Sequence, residues 1–441
     1  VSTLDARALA LDAPAIAVYA AFFAAVLIAT MRRPALGVAA LVAVVPFAFY
    51  RELGPTTLTL SKIGLLGTLA GLLAGRRSFA VLRERTAAAF LACALLVTAA
   101  TALSLWHALY RAPALRETFK SVEYLLVFVA VYAAWRADPD ERMLRVALAV
   151  TLVAVSALAL AQEFTGAPSG IWVMNYPVPR IAGPLEGPNQ LAGYLGLGLS
   201  LVTAFACTRR PLPVEFAALA LGTAALVLTM SRAGIAASAA GIVLVVLLSP
   251  ARAKRLVLGA LGGGAVAGTA GLAVWGYAAT HSTAGLWLIE RLASAAEAGD
   301  PGSVGTRSQL WRAAWTLWLR HPFFGIGAGN FEFELPLAGY PTLRTHANSL
   351  YLQALAEGGV PLFSATLALV ATSLVRFARG PFDDPLVLGA LGASAGFALH
   401  QIVDLLVFYP KVGELWWIVL ALGAARFDAL AARSAPHRLA A

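Results

Sequence analysis

Apolar residues fall in long runs near positions 14–30, 35–50, 63–75, 87–105, 121–135, 146–162, 189–207, 216–230, 234–249, 256–279, 347–375, 386–405 and 415–427. A helix crossing a bilayer needs about 20 such residues, and the second and third runs are short for that, so the pattern predicts about 12 transmembrane helices, roughly 11–13. A membrane barrel would alternate with a period of two between turns, whereas these runs are continuous Ala, Leu and Val ended by Arg, Pro and Gly. The expected class is an all-α polytopic integral membrane protein. The first run follows Asp5 and Asp12 and reaches Met31-Arg32-Arg33 without a small-residue cleavage site, so it reads as a retained span.

The widest gap between runs, residues 280–345, is the one sizeable segment expected outside the bilayer. Within it Ser303 to Arg320 predicts an amphipathic helix with Arg307, Trp311, Trp315 and Trp318 on one face. At about 100° per residue, Arg312 and Arg320 lie roughly 140° to either side of Arg307. A tryptophan stripe of this kind suits a helix lying at a membrane interface. His321-Pro322 and three alternating glycines, Gly325, Gly327 and Gly329, then stop the helix and permit close backbone approach. The chain therefore divides into helices with short loops over 1–279, an outer segment over 280–345, and final helices with a tail over 346–441, all in one integrated membrane domain.

One run is interrupted by polarity. His346, Ser349 or Leu350, Gln353 and Glu357 recur at helical spacing, forming a stripe that should face protein or water and leave lipid to the other faces. Thr345 is the expected N-cap.

Composition settles the class: 60% of the 441 residues are hydrophobic and only 13% are charged. The net charge of +10 is explained by topology and gives no reason to expect nucleic acid, because 19 of the 33 basic residues sit in loops on one side of the runs. That side should be cytoplasmic. Cys93 and Cys207 lie inside apolar runs without metal-ligand spacing, which argues against a disulfide framework or zinc site. Glu332 and Glu334 are a weak basis for a cation, so no metal and no cofactor are expected.

The opposite face collects Arg180, Arg232, Arg307 and His346. Arginine suits bidentate phosphate recognition, and three of them beside lipid point to a polyanionic headgroup such as a diphosphate. Arg232 is the strongest, being set tightly between apolar runs, whereas Arg180 and Arg307 would serve equally as headgroup anchors. Asn189, after Pro188, reads first as a cap on the next helix, whose positive end would lie beside Arg180. Arg116 and Lys120, one turn apart, extend the same basic surface unless Glu117 and Glu123 neutralise them. A positive helix end and nearby arginines would keep His346 neutral and able to accept a proton. Gln353 and Glu357 either line a cavity or pack helices, and His400 with Asp404 reads as a structural pair.

The order and spacing of these short motifs resemble the O-antigen ligase and polymerase superfamily of bacterial membrane glycosyltransferases. The resembling residues are Arg180 with Gly183 and Pro188-Asn189, Ser231-Arg232-Ala233-Gly234, Arg307 with Trp311, His321-Pro322 with Gly325, Gly327 and Gly329, and His346-Ala347-Asn348 through Glu357-Gly358-Gly359. The resemblance spans about 180–410. It implies a GT-C-like inner-membrane enzyme that takes a glycan from undecaprenyl pyrophosphate at the periplasmic face. A ligase would pass it to a sugar hydroxyl of lipid A core, and a polymerase to another lipid-linked repeat unit. The single long outer segment favours the ligase; the 164–188 loop with Arg180 keeps the polymerase open. The short tail after the last run disfavours a third branch, which glycosylates protein. On that reading Arg180, Arg232 and Arg307 hold the pyrophosphate and His346 is the base. Arg116, Lys120, Asn189, Asn348, Gln353 and Glu357 are further cavity or substrate residues. The competing class is a lipid or solute transporter, against which stand the absence of a convincing internal repeat and the gathering of polar residues at one surface.

Overall fold

A computed structural model describes residues 13–47, 49–53, 56–165, 169–173, 176–250, 254–280, 304–341 and 343–434. Every apolar run becomes a helix: α1 Ala13–Arg32, α2 Pro34–Val44, α3 Leu60–Ala74, α4 Arg85–Leu103, α5 Arg111–Ala137, α6 Glu141–Thr165, α7 Pro188–Thr208, α8 Pro213–Leu228, α9 Arg232–Leu248, α10 Lys254–Thr280, α12 Leu350–Ala378, α13 Pro385–His400 and α14 Pro410–Ser434. Between α10 and α12 lies α11, Val304–Arg320. Among the described residues, seven helices are long and apolar enough to cross a membrane (α1, α4, α5, α6, α7, α12 and α14), and five shorter apolar helices pack among them. The chain is an all-α membrane protein carrying two small hairpins that hydropathy does not reveal. In these β1 (Tyr50–Leu53) pairs with β2 (Thr56–Thr59), and β3 (Ser169–Val173) pairs with β4 (Tyr176–Arg180), with Ser169 opposite Arg180.

The bundle is built around α7, which is buried from Gln190 through Cys207. A helix apolar on every side belongs inside a bundle, and α7 is flanked by α9 and α13, which touch where a Cβ on Gly241 or Gly392 would run into the other's carbonyl. Small residues let these backbones approach as transmembrane helices require. Both cysteines are free and buried.

At one end of the bundle several loop arginines meet acidic partners on neighbouring loops. Arg33 bonds Asp138 and Asp140, Arg209 bonds Glu141, Arg426 bonds Asp384 at 2.6 Å, and Asp428 caps the first amides of α4, Thr86 and Ala87. An enclosed pair at this end is Arg145 on α6 with Glu215 on α8, a two-pronged contact at 2.8 Å on each prong, whose carboxylate also accepts the Leu212 amide. Glu215 is 1% exposed. Removing one partner strands the other charge out of water, so Glu215→Ala is expected to destabilise the protein by about 3–5 kcal/mol. Thermal unfolding of the purified protein in detergent, with Arg33→Ala as a rim control expected to shift far less, measures this.

Candidate functional site

At the other end of the bundle, the sequence Glu357-Gly358-Gly359-Val360-Pro361 breaks α12. Pro361 has no amide to give the Glu357 carbonyl, and Gly359 leaves helical geometry at φ 62°, ψ −159°. The loop after α11 fills the gap. Ile326 donates its amide to Ala356 O (3.0 Å), Gly327 to Glu357 O (2.9 Å), and Val360 donates to Pro322 O (3.0 Å). Gly325, Gly327 and Gly359 all have positive φ, and a Cβ on Gly325 would run into the Glu357 carbonyl. The alternating glycines of the sequence are thus the means by which a loop docks against helix backbone.

Gln353 and Glu357 brace this junction from inside. Gln353 accepts the Ala347 amide at 2.7 Å and donates to Glu357 at 2.7 Å, and Glu357 accepts the Phe331 amide at 3.1 Å. Both also line a cavity of about 120 Å³ between α4, α5, α12 and α14, with Lys120, Glu117 and Leu350 in its wall. Gln353 and Glu357 thus pair loop amides at the junction as well as lining this cavity.

His346 is not on the helix. Asn348 is left-handed at φ 48°, and Ser349, with its hydroxyl accepting the Leu352 amide, is the N-cap where Thr345 was expected. The imidazole therefore sits three residues before the cap, packed on Phe408 with ring centroids 4.0 Å apart and edge-on to Tyr409 at 6.5 Å. It is kept neutral chiefly by burial and secondly by the Lys120 charge, which together take its pKa down to about 4. The sequence pointed to a helix end and nearby arginines as the cause of a neutral imidazole; at this position desolvation comes first and Lys120 second.

Asn189 also differs from its expected role. Gly187 is the N-cap of α7, and the Asn189 side chain accepts a hydrogen bond from Arg180 Nη2 at 3.1 Å. Arg180 Nε donates to Thr229 O at 2.9 Å. That carbonyl belongs to the turn between α8 and α9, where Met230 takes a positive φ of 50° and Ser231 caps the helix that Arg232 opens. Arg180 and Arg232 are thereby brought to one turn.

Arg307 lies on α11, whose Leu310, Ala313, Ala314 and Leu317 face inward while Arg312 and Arg320 are exposed. Trp311, one turn after Arg307, donates from Nε1 to Asn348 O at 3.5 Å, tying the helix to the His346 loop. Segment 400–409 joins the two halves: the His400 ring packs beside Gly234 of α9, Asp404 Oδ2 is 3.8 Å from His400 Nε2, and Phe408 and Tyr409 meet His346. Arg116 is exposed, and Lys120 is ion-paired with Glu117 at 2.6 Å. Sequence reading passed over Phe408 and Tyr409, although two aromatics directly before Pro410 were the available signal. No group of three or more metal-ligating side chains exists among the described residues.

Residues 217–367, from α8 into α12, match the family model for O-antigen ligase. The resemblance carried by the motifs is shown over this stretch, which contains Arg232, Arg307, His346, Asn348, Gln353 and Glu357; Arg116, Lys120, Arg180 and Asn189 lie outside it. No curated protein matches the chain.

Asn189→Ala removes a side-chain acceptor from the Arg180 guanidinium and should lower by about tenfold the rate of any reaction in which Arg180 binds the substrate, as misplacement of a binding group does. Asn189→Asp keeps the acceptor and should retain most of the rate. Initial rates with purified variants check both, and equal rates for Asn189→Ala and the parent protein would show that this bond positions nothing.

Proposed function

We propose that this protein is an O-antigen ligase, transferring a glycan from undecaprenyl pyrophosphate to a sugar hydroxyl of lipid A core at the periplasmic face of the inner membrane. The observation that carries the reading is the anchoring of Arg180 on the turn that bears Arg232, together with the Trp311 bond that ties the Arg307 helix to the His346 loop. We place about twelve spans, with 280–345 as the periplasmic segment and 1–279 and 346–441 as the flanking membrane helices; the seven long apolar helices among the described residues support a multi-pass membrane domain.

Arg180, Arg232 and Arg307 hold the pyrophosphate and stabilise the charge that grows on it as the anomeric bond breaks. Neutral His346 accepts the proton of the attacking hydroxyl. Pyrophosphate is already a good leaving group, so the step requires neither a strong general acid nor a metal. Asn348, Gln353 and Glu357 hold the loop that carries the base, and Asn189 holds Arg180.

In proteoliposomes given lipid-linked glycan, His346→Ala and Arg232→Ala should each lower transfer by roughly a thousandfold or more, the scale of a lost base or oxyanion partner. Arg312→Ala, on an exposed face, should stay within about twofold. Product on lipid A core supports the ligase; product only when a second lipid-linked unit is the acceptor assigns the polymerase. Transport of the lipid without any glycosidic product would contradict both.

The pH dependence has a definite sign. A base with pKa about 4 is deprotonated throughout the neutral range, so the transfer rate should stay level as pH falls from 8 to about 5 and drop toward 4. A limb at the ordinary histidine value near 6.5 would show that the half-buried His346 imidazole is not the titrating base.

A further inference from the structure

Two side chains of α5, one helical turn apart, reach across to the turn before α14 and hold consecutive carbonyls. Tyr124 donates its hydroxyl to Val407 O at 2.7 Å, and Lys120 donates to Phe408 O at 2.9 Å. The same ammonium lies 4.2 Å from the centroid of the Phe408 ring, on which His346 packs at 4.0 Å. Phe408 is therefore clamped by Lys120 through both its carbonyl and its ring, and the imidazole rests on the clamped residue. Glu117 completes the arrangement by holding Lys120 from the preceding turn at 2.6 Å.

We propose that Lys120 is a positioning residue for His346, acting through Phe408, with Glu117 setting how much of the Lys120 charge the imidazole feels. This rests on the reading of His346 as the base. A half-buried lysine that donates to both a carboxylate and a backbone carbonyl is built to hold a neighbour in place, and a cation held against an aromatic face fixes that ring as well. The neighbouring histidine gains a defined orientation and a nearby positive charge that opposes its protonation. Around His346, α5 presents Lys120, itself paired with Glu117, the turn presents Tyr409 edge-on to the ring, and α12 presents the neutral Gln353, bonded to Ala347.

The full-length protein in nanodiscs supplies the test, with two readouts. The first is the histidine ring titration, followed by NMR with selectively labelled histidine and assigned with His346→Gln. The second is the pH profile of kcat with lipid A core as acceptor. Lys120→Met should raise the His346 titration point and the acid limb together, by on the order of half a unit to one unit for removal of a nearby charge, and lower kcat about tenfold with little change in acceptor KM. Glu117→Gln should move both in the opposite direction, because Lys120 is then uncompensated. Lys120→Arg, which keeps the cation, should leave the acid limb near its parent position. A merely structural lysine would lower activity in all three variants without these opposed shifts, and that result overturns the proposal. If the ring titration shifts as expected while the pH profile does not, the positioning of His346 stands and its role as the base fails.

Discussion

A helix that reaches Pro361 cannot close its own hydrogen bonds, and the groups it leaves open decide the arrangement of the site. The carbonyls of Ala356 and Glu357 take their donors from Ile326 and Gly327, and the Val360 amide finds Pro322. Inside a membrane protein an unpaired backbone group costs several kcal/mol, so the 322–327 loop is bound to α12 by necessity. Because α11 runs directly into that loop, its arginine-bearing face is fixed relative to the His346 segment. Glu357 and Gln353 then extend the same requirement inward, satisfying the amides of Phe331 and Ala347. Polar residues that a lipid environment disfavours are retained here because they complete the backbone.

The proposed chemistry follows from the same economy of placement. Anion recognition is assigned to arginines on three different elements, the β3–β4 hairpin, the α8–α9 turn and α11, which makes the binding of a diphosphate depend on the tertiary fold. Proton transfer is assigned to an imidazole held neutral by burial, packed against Phe408 in a turn pinned by α5. The two functions are connected through segment 400–409, whose Asp404 and Gln401 carbonyls both accept the Leu350 amide at the start of α12. A shift of that segment would therefore move the base relative to the arginines, so the segment's many bonds serve alignment as well as stability.

Much of this was legible in the chain. Hydropathy located each of the thirteen apolar helices, and the basic loops identified the end of the bundle where Arg33, Arg209 and Arg426 form their ion pairs. Arg232 stood out because an ionised side chain between two apolar runs needs a reason. What escaped was nonlocal or too short. The break in α12 was written as Gly358-Gly359 and Pro361 but was absorbed into a 347–375 run, since hydropathy does not register a lost hydrogen bond. The cap at Ser349 was missed because Thr345 offers the same chemistry, and only the left-handed Asn348 decides between them. Strands of four and five residues leave little periodicity to detect. The partnership of Asn189 with Arg180, and that of Lys120 with Phe408 across 288 positions, belong to tertiary structure alone.

In the proposed reaction a single displacement takes place at the anomeric carbon, with the diphosphate leaving toward the arginines as His346 deprotonates the attacking hydroxyl. Its most direct test is the configuration of the new glycosidic bond, read by NMR on product made by the purified protein from a donor of known anomeric configuration. One displacement predicts inversion. Retention would require a covalent glycosyl intermediate or an equivalent second inversion, and would contradict the assignment of His346 as the base of a one-step transfer.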